Sequence, residues 1–535
     1  MDCSDDEDGY TYEGLPAPVA MGMAMMESTG IRKLIDETCA DGVQRKLTIG
    51  MGIKAIVGTM FEATRKSPLY LVNETYNTCP TDKVFGRDVV SSSLSDTSLG
   101  KCLDSVFKTD MQTLLWECTE MMCDSYDLNS NVMSMDATNY SLYGMGYDRI
   151  EDVEKGAEPA YGGNSKTKRN DLVQKNVHAV TNGMGVLRTT KAFSGNVSDM
   201  TMNNDTIGFL VGKVDPEKVI VSADCKLANS ITIDRLLELG WGFVTKAPSN
   251  FNDLVKSRIV NSASSGMMDE SEKNKGRFLY DTEAGYGEGK LRFVAYRLPG
   301  SIEKSMEYLT AGGFEQASKR ILNFKSRKFF CEDDARKEFG DMTKEYCGAY
   351  SADVEFFEDK RLVRKDPDGP HWRCRATNVT VNESGIEDAA ERFSIQVLTT
   401  NLRFAAKDSE DLRKGTTADT AVDLYLGQYH TEKNFRIMKS GMGVNHVYLH
   451  ARGRQDALVF AVSLATAMTN VIDSVMQRNG DERRAHRLIC RFKTGMIHYD
   501  RESDKMRFRG PPGRREEFYG LLDVLNIDRG FLLGF

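Results

Sequence analysis

Between about Pro18 and Cys123, apolar residues recur at three- and four-residue spacing. GIRKLIDETCADG, LTIGMGIKAIVGTMFEATRK and TSLGKCLDSVFKTDMQTLLWECTEMMCDSY all carry this period, which predicts helices. The texture changes at Asn131. NVMSMDATNYSLYG alternates and is rich in β-formers, so it predicts a strand. KNVHAVTN and GVLRTTKAF, separated by Gly183, Met184 and Gly185, predict a hairpin. KVIVSAD is a buried-type apolar strand ending on Asp224. The helix SITIDRLLELG, closed by Gly240, and the strand WGFVTKAP follow it.

Three antiparallel-type strands and then strand–helix–strand is the order of a ribonuclease-H-like α/β core. Short β-prone pieces (RFLYDTE, KLRFVAYRLPG, GPHWRCRATNVTV) then alternate with a charged helical stretch near 314–346, which reads as a partly β insertion. RFSIQVLTTN restores a strong strand, and a helix bearing Glu432 comes next. The expected class is therefore α/β: a mixed sheet flanked by helices, interrupted by a β-rich insertion and preceded by a helical domain. The expected boundaries are a disordered acidic tail (1–12), a helical domain that is either a packing module or a DNA reader (13–127), the core in two parts (128–249 and 392–476), the insertion (250–391) and a basic carboxyl-terminal region (477–535). No period of 20–50 residues repeats, so no solenoid is implied.

A chain of 535 residues with 40% hydrophobic and 28% charged residues can bury a substantial core. Its 11 cysteines are scattered, and Cys118 and Cys123 lack a matching pair at zinc-site spacing, which favours reduced thiols in the cytoplasm. DALVFAVSLATAMTNVI (456–472) is broken by Ser463, Thr466, Thr469 and Asn470, so a buried helix is expected and no membrane span. The acidic opening DCSDDEDGYTYE does not resemble a secretory leader. A net charge of −8 argues against a general nucleic-acid coat, although what matters is where the charge sits. Three runs are basic: Lys166, Lys168 and Arg169; Lys319, Arg320, Lys325, Arg327 and Lys328; and the region from Arg478 to Arg515. Any single run reads better as a solvated face, whereas three around one acidic centre make DNA contact an equal alternative.

The candidate chemistry centres on YLGQYHTEKNFRIMK. On a helix turning 100° per residue, Tyr425, Gln428, Glu432 and Lys439 fall within an arc of roughly 60°. A carboxylate able to hold a metal and an ammonium able to hold a phosphate then point the same way, although a solvated helix face uses the same spacing. Asp136 stands mid-strand, where an unpaired carboxylate is costly to bury, so it faces solvent or a ligand. Asp224 ends an apolar strand, the place of many sites in open α/β sheets; a helix cap or turn explains it as well. Phosphodiester cleavage needs an activated water or hydroxyl and neutralised phosphate charge, which two Mg²⁺ ions held by clustered carboxylates supply.

Together these residues resemble the DDE transposases of prokaryotic insertion sequences, in the cut-and-paste branch with a Tyr-x2-Arg-x3-Glu-x6-Lys signature. The resemblance runs from about residue 15 to 475. MDATNYSLYG is similar to the first-aspartate strand, GNSKTKRNDLVQ (163–174) to the Gly-x-Ser-Lys segment, SGNVSD (194–199) to a Gly-Asn-x-x-Asp turn, VSADCKLANSITIDRL to the second-aspartate region and VLTTN (397–401) to the strand before the third acid. The resemblance implies that Asp136, Asp224 and Glu432 bind two Mg²⁺ ions, with Mn²⁺ as a substitute. It also implies cleavage at the element ends, a hairpin intermediate and strand transfer into target DNA. The implied partners are double-stranded DNA, as terminal inverted repeats and as target, and a second copy in a synaptic homodimer; the implied location is the cytoplasm, in association with the nucleoid.

Gln428 departs from the signature, standing where the family has arginine. It can donate a hydrogen bond to phosphate but brings no charge, which Arg436, one turn beyond Glu432, could supply. Lys439, Tyr425, Lys166 and Arg169 are expected at DNA, and Asp171 and Asp199 as supporting or turn residues. The rival readings are a metal-dependent nuclease without strand transfer and a DNA-binding protein that has lost catalysis. His446 and His450 lack a third ligand, and the Gly285–Lys290 segment reads as a β-turn rather than a phosphate loop.

Overall fold

The computed structural model describes residues 13–62, 69–142, 173–224, 226–247, 253–366, 368–441, 449, 451–481, 483–503 and 505–533. The acidic opening, Lys166, Arg169, Asp171, His446 and His450 lie outside them. The chain divides into two compact units: one of residues 1–227, 234–241 and 426–535, the other of residues 228–233 and 242–425.

In the first unit, β1 (Glu13–Pro16) leads into helices α1 (Ala17–Ser28), α2 (Ile31–Thr38), α3 (Ile49–Met60), α4 (Asp96–Phe107) and α5 (Met111–Tyr126). Their starts follow capping chemistry: Thr48, Ser95 and Asp110 each accept a hydrogen bond from a backbone N–H of the first turn. Strands β2 (Val132–Ser141), β3 (Gln174–Asn182), β4 (Leu187–Ser194) and β5 (Ile220–Ala223) form a mixed array in the order β4-β3-β2-β5. The β2–β3 and β3–β4 pairs are antiparallel and the β2–β5 pair is parallel. The β3–β4 hairpin turns where expected, with Gly185 at φ 81°. A side chain there would also meet the His430 imidazole, 2.8 Å from a would-be Cβ.

Helix α6 (Asp199–Leu210) connects β4 to β5 and lies on one face of the sheet, where His178 bonds Asn203 and Thr206. Ser198, rather than Asp199, caps it; Asp199 sits in the first turn, where a carboxylate complements the helix dipole, and pairs with Lys226. On the other face lie α7 (Tyr429–Arg436) and α8 (Arg452–Arg478). α8 is long and apolar enough to cross a membrane, yet most of it is buried within the protein, packed on α3, α4, α5 and β4. The polar residues that interrupt its apolar run account for this: Ser463 meets Thr190 at 2.8 Å, and Asn470 accepts from the Leu187 amide at 3.1 Å.

The expected basic tail is folded. Helix α9 (Ala485–Arg491), the hairpin β6 (Met496–Asp500) and β7 (Lys505–Arg509), and helix α10 (Arg514–Val524) follow α8, and β1 pairs with β6. Much of its charge is internally matched: Arg483, Arg491 and Arg514 all converge on Glu517.

The second unit contains strands Gly242–Lys246, Gln396–Thr400, Gly289–Arg297, Phe278–Tyr286 and Asp269–Glu270, neighbours in that order and all antiparallel. The expected boundary between 391 and 392 falls inside this unit. A separate ribbon, Tyr350–Glu358 with Trp372–Val381, packs with helices Gly312–Asn323 and Glu332–Lys344 around Ile321, Phe324, Phe329 and Cys374. Here the basic run at 319–328 is largely neutralised: Lys319 pairs with Glu315, Arg320 with Glu345 and Arg327 with Glu338.

Candidate functional site

All three candidate acids belong to the first unit. Met135 on β2 pairs with Ala223 on β5, so one further step along these parallel strands brings Asp136 level with Asp224. Residues level on adjacent strands point to the same face, roughly 4.8 Å apart. Both carboxylates are half-buried, and each ties one oxygen to the backbone that follows. Asp136 Oδ1 accepts from the Ala137 amide at 2.7 Å and Asp224 Oδ1 from the Lys226 amide at 2.9 Å.

Glu432 arrives from α7, whose placement two side chains fix. Gln428 Nε2 donates to Ser222 Oγ on β5 at 3.3 Å, and Asn434 Nδ2 donates to Thr181 Oγ1 on β3 at 3.1 Å. Ser222, Ser134 and Thr181 form one row across β5, β2 and β3. Six helical residues rise about 9 Å, and two strand steps cover about 9.6 Å. The helix therefore crosses the strands nearly at right angles along that row. Thr431, at its centre, is fully buried, whereas Glu432 is exposed.

A polar network locks this crossing. Asn470 Nδ2 on α8 donates to Asn434 Oδ1 at 2.8 Å, and Lys433 pairs with Asp473, whose other oxygen accepts the Ala485 amide at 2.5 Å. Burial, with Lys433 and Arg484 nearby, pushes the His430 imidazole down to about 4. Of these supporting residues only Asn470 was named from the sequence, as a break in the apolar run at 456–472.

The signature helix is not regular over its whole length. It breaks at Gly427 and Gln428, and residues Ile437–Gly441 wind as a wider π-helix. Lys439 is therefore rotated off the 100° arc expected from the sequence, because a π-turn advances less per residue. Tyr425 falls in the second unit. Arg436 is exposed and Lys439 half-buried.

The donor set, oxygen-only carboxylates, suits a hard divalent cation. Among the described residues, however, no three His, Cys, Asp or Glu side chains are gathered as a metal cage. The strands and the helix bring the backbones of the three acids to one region, but the carboxylates do not form a preformed cluster.

A family model described as a domain of unknown function, DUF4277, matches residues 20–119, within the amino-terminal helices. No curated protein matches the chain. Among solved structures it is similar to the piggyBac transposase synaptic complex with hairpin DNA, determined by cryo-EM. The identity is 9%, 90% of this chain and 82% of that chain are covered, and the TM-score is 0.39.

Proposed function

We propose that the chain is a DNA transposase that hydrolyses a phosphodiester bond at each element end and transfers the freed 3′-hydroxyl into target DNA. Asp136, Asp224 and Glu432 are its acids, on a ribonuclease-H-like core. The observation that carries this reading is the level placement of Asp136 and Asp224 beneath a helix that crosses their strands with Glu432 on it. The crossing direction supports it. A β4–α6–β5 crossover takes the right-handed path, and a right-handed helix running from β5 to β3 on the opposite face then turns the residue after Thr431 towards the carboxyl ends of β2 and β5. Asp224 lies at that end of β5, and Asp136 stands level with it on β2.

Two Mg²⁺ ions, when bound, would supply an activated nucleophile and neutralise phosphate charge. The chain's own part is positioning. Asp136 presents its oxygens from within β2 and Asp224 from the end of β5, and the Asn434–Asn470 network holds the helix that brings Glu432. Gln428, its amide engaged with Ser222, adds no positive charge, so the charge expected of the family's arginine must come from Arg436 or Lys439.

The test uses DNA carrying the flanks of the chain's own gene, a supercoiled plasmid target and Mg²⁺. The reading expects cut ends joined to the plasmid. Cleavage without joined product would favour the nuclease, and binding without cleavage would favour a protein that has lost catalysis.

A further inference from the structure

The second sheet of the first unit has the order β1-β6-β7, so β7 is an edge strand among the described residues. Its sequence alternates strictly: Lys505, Arg507 and Arg509 are exposed, whereas Phe508 is buried against Phe518 of α10. Side chains two apart on an antiparallel strand stand about 6.8 Å from one another, so the three cations form a row roughly 14 Å long. Facing them across the ladder are Asp500, His498 and Met496. Asp500 is taken up by its own turn, accepting from Ser503 Oγ at 2.5 Å and the Glu502 amide at 3.0 Å. Burial and Arg509 hold the His498 imidazole below its ordinary value, so it is neutral near pH 7.

Among the described residues, no carboxylate stands within 4.0 Å of the Lys505 or Arg507 head group, whereas the basic run at 319–328 has Glu315, Glu345 and Glu338 on its cations. Three cations held in line on a rigid ribbon, two of them with no carboxylate in ion-pair range among the described residues, match a polyanion whose charges also repeat in line.

We infer that the outer face of the β6–β7 ribbon is a docking surface for the phosphate backbone of duplex DNA. The inference rests on the proposed DNA chemistry but concerns binding away from the three acids. Each of the three side chains contacts a phosphate and displaces a counterion, without reading sequence. Cations on an edge strand also discourage strand-to-strand association, and the experiment separates the two roles.

Binding of the full chain to a short duplex of arbitrary sequence is measured by fluorescence anisotropy over a range of salt concentrations. Four proteins are compared: wild type, a Lys505→Gln, Arg507→Gln, Arg509→Gln triple variant, the single Arg507→Gln variant and a Lys319→Gln, Arg320→Gln, Arg327→Gln control. Each phosphate contact contributes about 0.9 to the slope of log K against log salt. The triple variant should therefore lose about 2.7 from that slope, the single Arg507→Gln about 0.9 and the control nothing. Equal slopes for wild type and triple variant would overturn the inference, as would an equal loss in the control or no duplex binding by wild type. Increased self-association of the triple variant with an unchanged slope would assign the ribbon to edge protection. Cleavage by the acids is scored separately, so either reading can fail alone.

Discussion

Gln428 Nε2 donates to Ser222 Oγ at 3.3 Å, two residues before Asp224 and one helical turn before Glu432. One hydrogen bond thus links the strand that ends at the second acid to the helix that bears the third. Ser222→Ala removes the acceptor without adding bulk. It should cost no more than about 1 kcal/mol of stability yet slow DNA cleavage by roughly tenfold or more, because small misplacements of reacting groups are expensive. Urea unfolding and single-turnover cleavage, measured side by side, check the split. A loss of stability with unchanged cleavage would show that the link is only structural.

Asn434 and Asn470 are both buried and satisfy each other and the hairpin: Asn434 donates to Thr181, and Asn470 accepts from the Leu187 amide. Asn434→Leu leaves buried partners unsatisfied and should destabilise the fold by about 1–3 kcal/mol. In a double-mutant cycle with Asn470→Leu the two losses should fall short of additivity. Strict additivity in chemical denaturation would contradict the network.

Lys175 on β3 and Asp456 on α8 form a buried ion pair. Breaking it from one side with Asp456→Leu should cost about 3–5 kcal/mol, since the buried Lys175 charge loses the carboxylate that compensates it. Replacing both, as Lys175→Met with Asp456→Leu, should recover a large part of that loss. Thermal unfolding of the four proteins measures it, and a double variant no more stable than the single one would refute the assignment.

His430 gives the fold a specific acid sensitivity. Its imidazole is held down to about 4, whereas in the unfolded chain it has its ordinary value of 6.5. Between these values the unfolded state binds more protons, so stability rises with pH. The contribution is fully present above pH 6.5 and is lost as pH falls through 4. Denaturant midpoints at several pH values across this window should fall more steeply for wild type than for His430→Gln. Parallel curves would contradict the assignment.

Much of the fold was legible because its elements obey simple periods. The alternation in NVMSMDATNYS and the Gly183–Gly185 turn foretold β2 and the hairpin, and the apolar run ending at Asp224 foretold β5. What was not legible depends on contacts distant in sequence. The break at Gly427 and the π-turn after Arg436 leave the helical period of the signature intact on paper, so the sequence reads as one regular helix. The hairpin at 496–509 looked like a basic tail because its apolar Ile497 and Phe508 are few and short-ranged, and only pairing with β1 reveals a sheet. The acids were recognisable individually. That Asp136 and Asp224 stand level was not, because it depends on the parallel register of β2 and β5.

In the proposed function Asp136, Asp224 and Glu432 act as one metal-holding unit on DNA. The most direct measurement is Mg²⁺-dependent cleavage of element-end DNA by wild type and by Asp136→Asn, Asp224→Asn and Glu432→Gln, with DNA affinity recorded for each. All three variants should bind DNA as wild type does and lose cleavage by several orders of magnitude. Cleavage at the wild-type rate by any one of them would contradict the account.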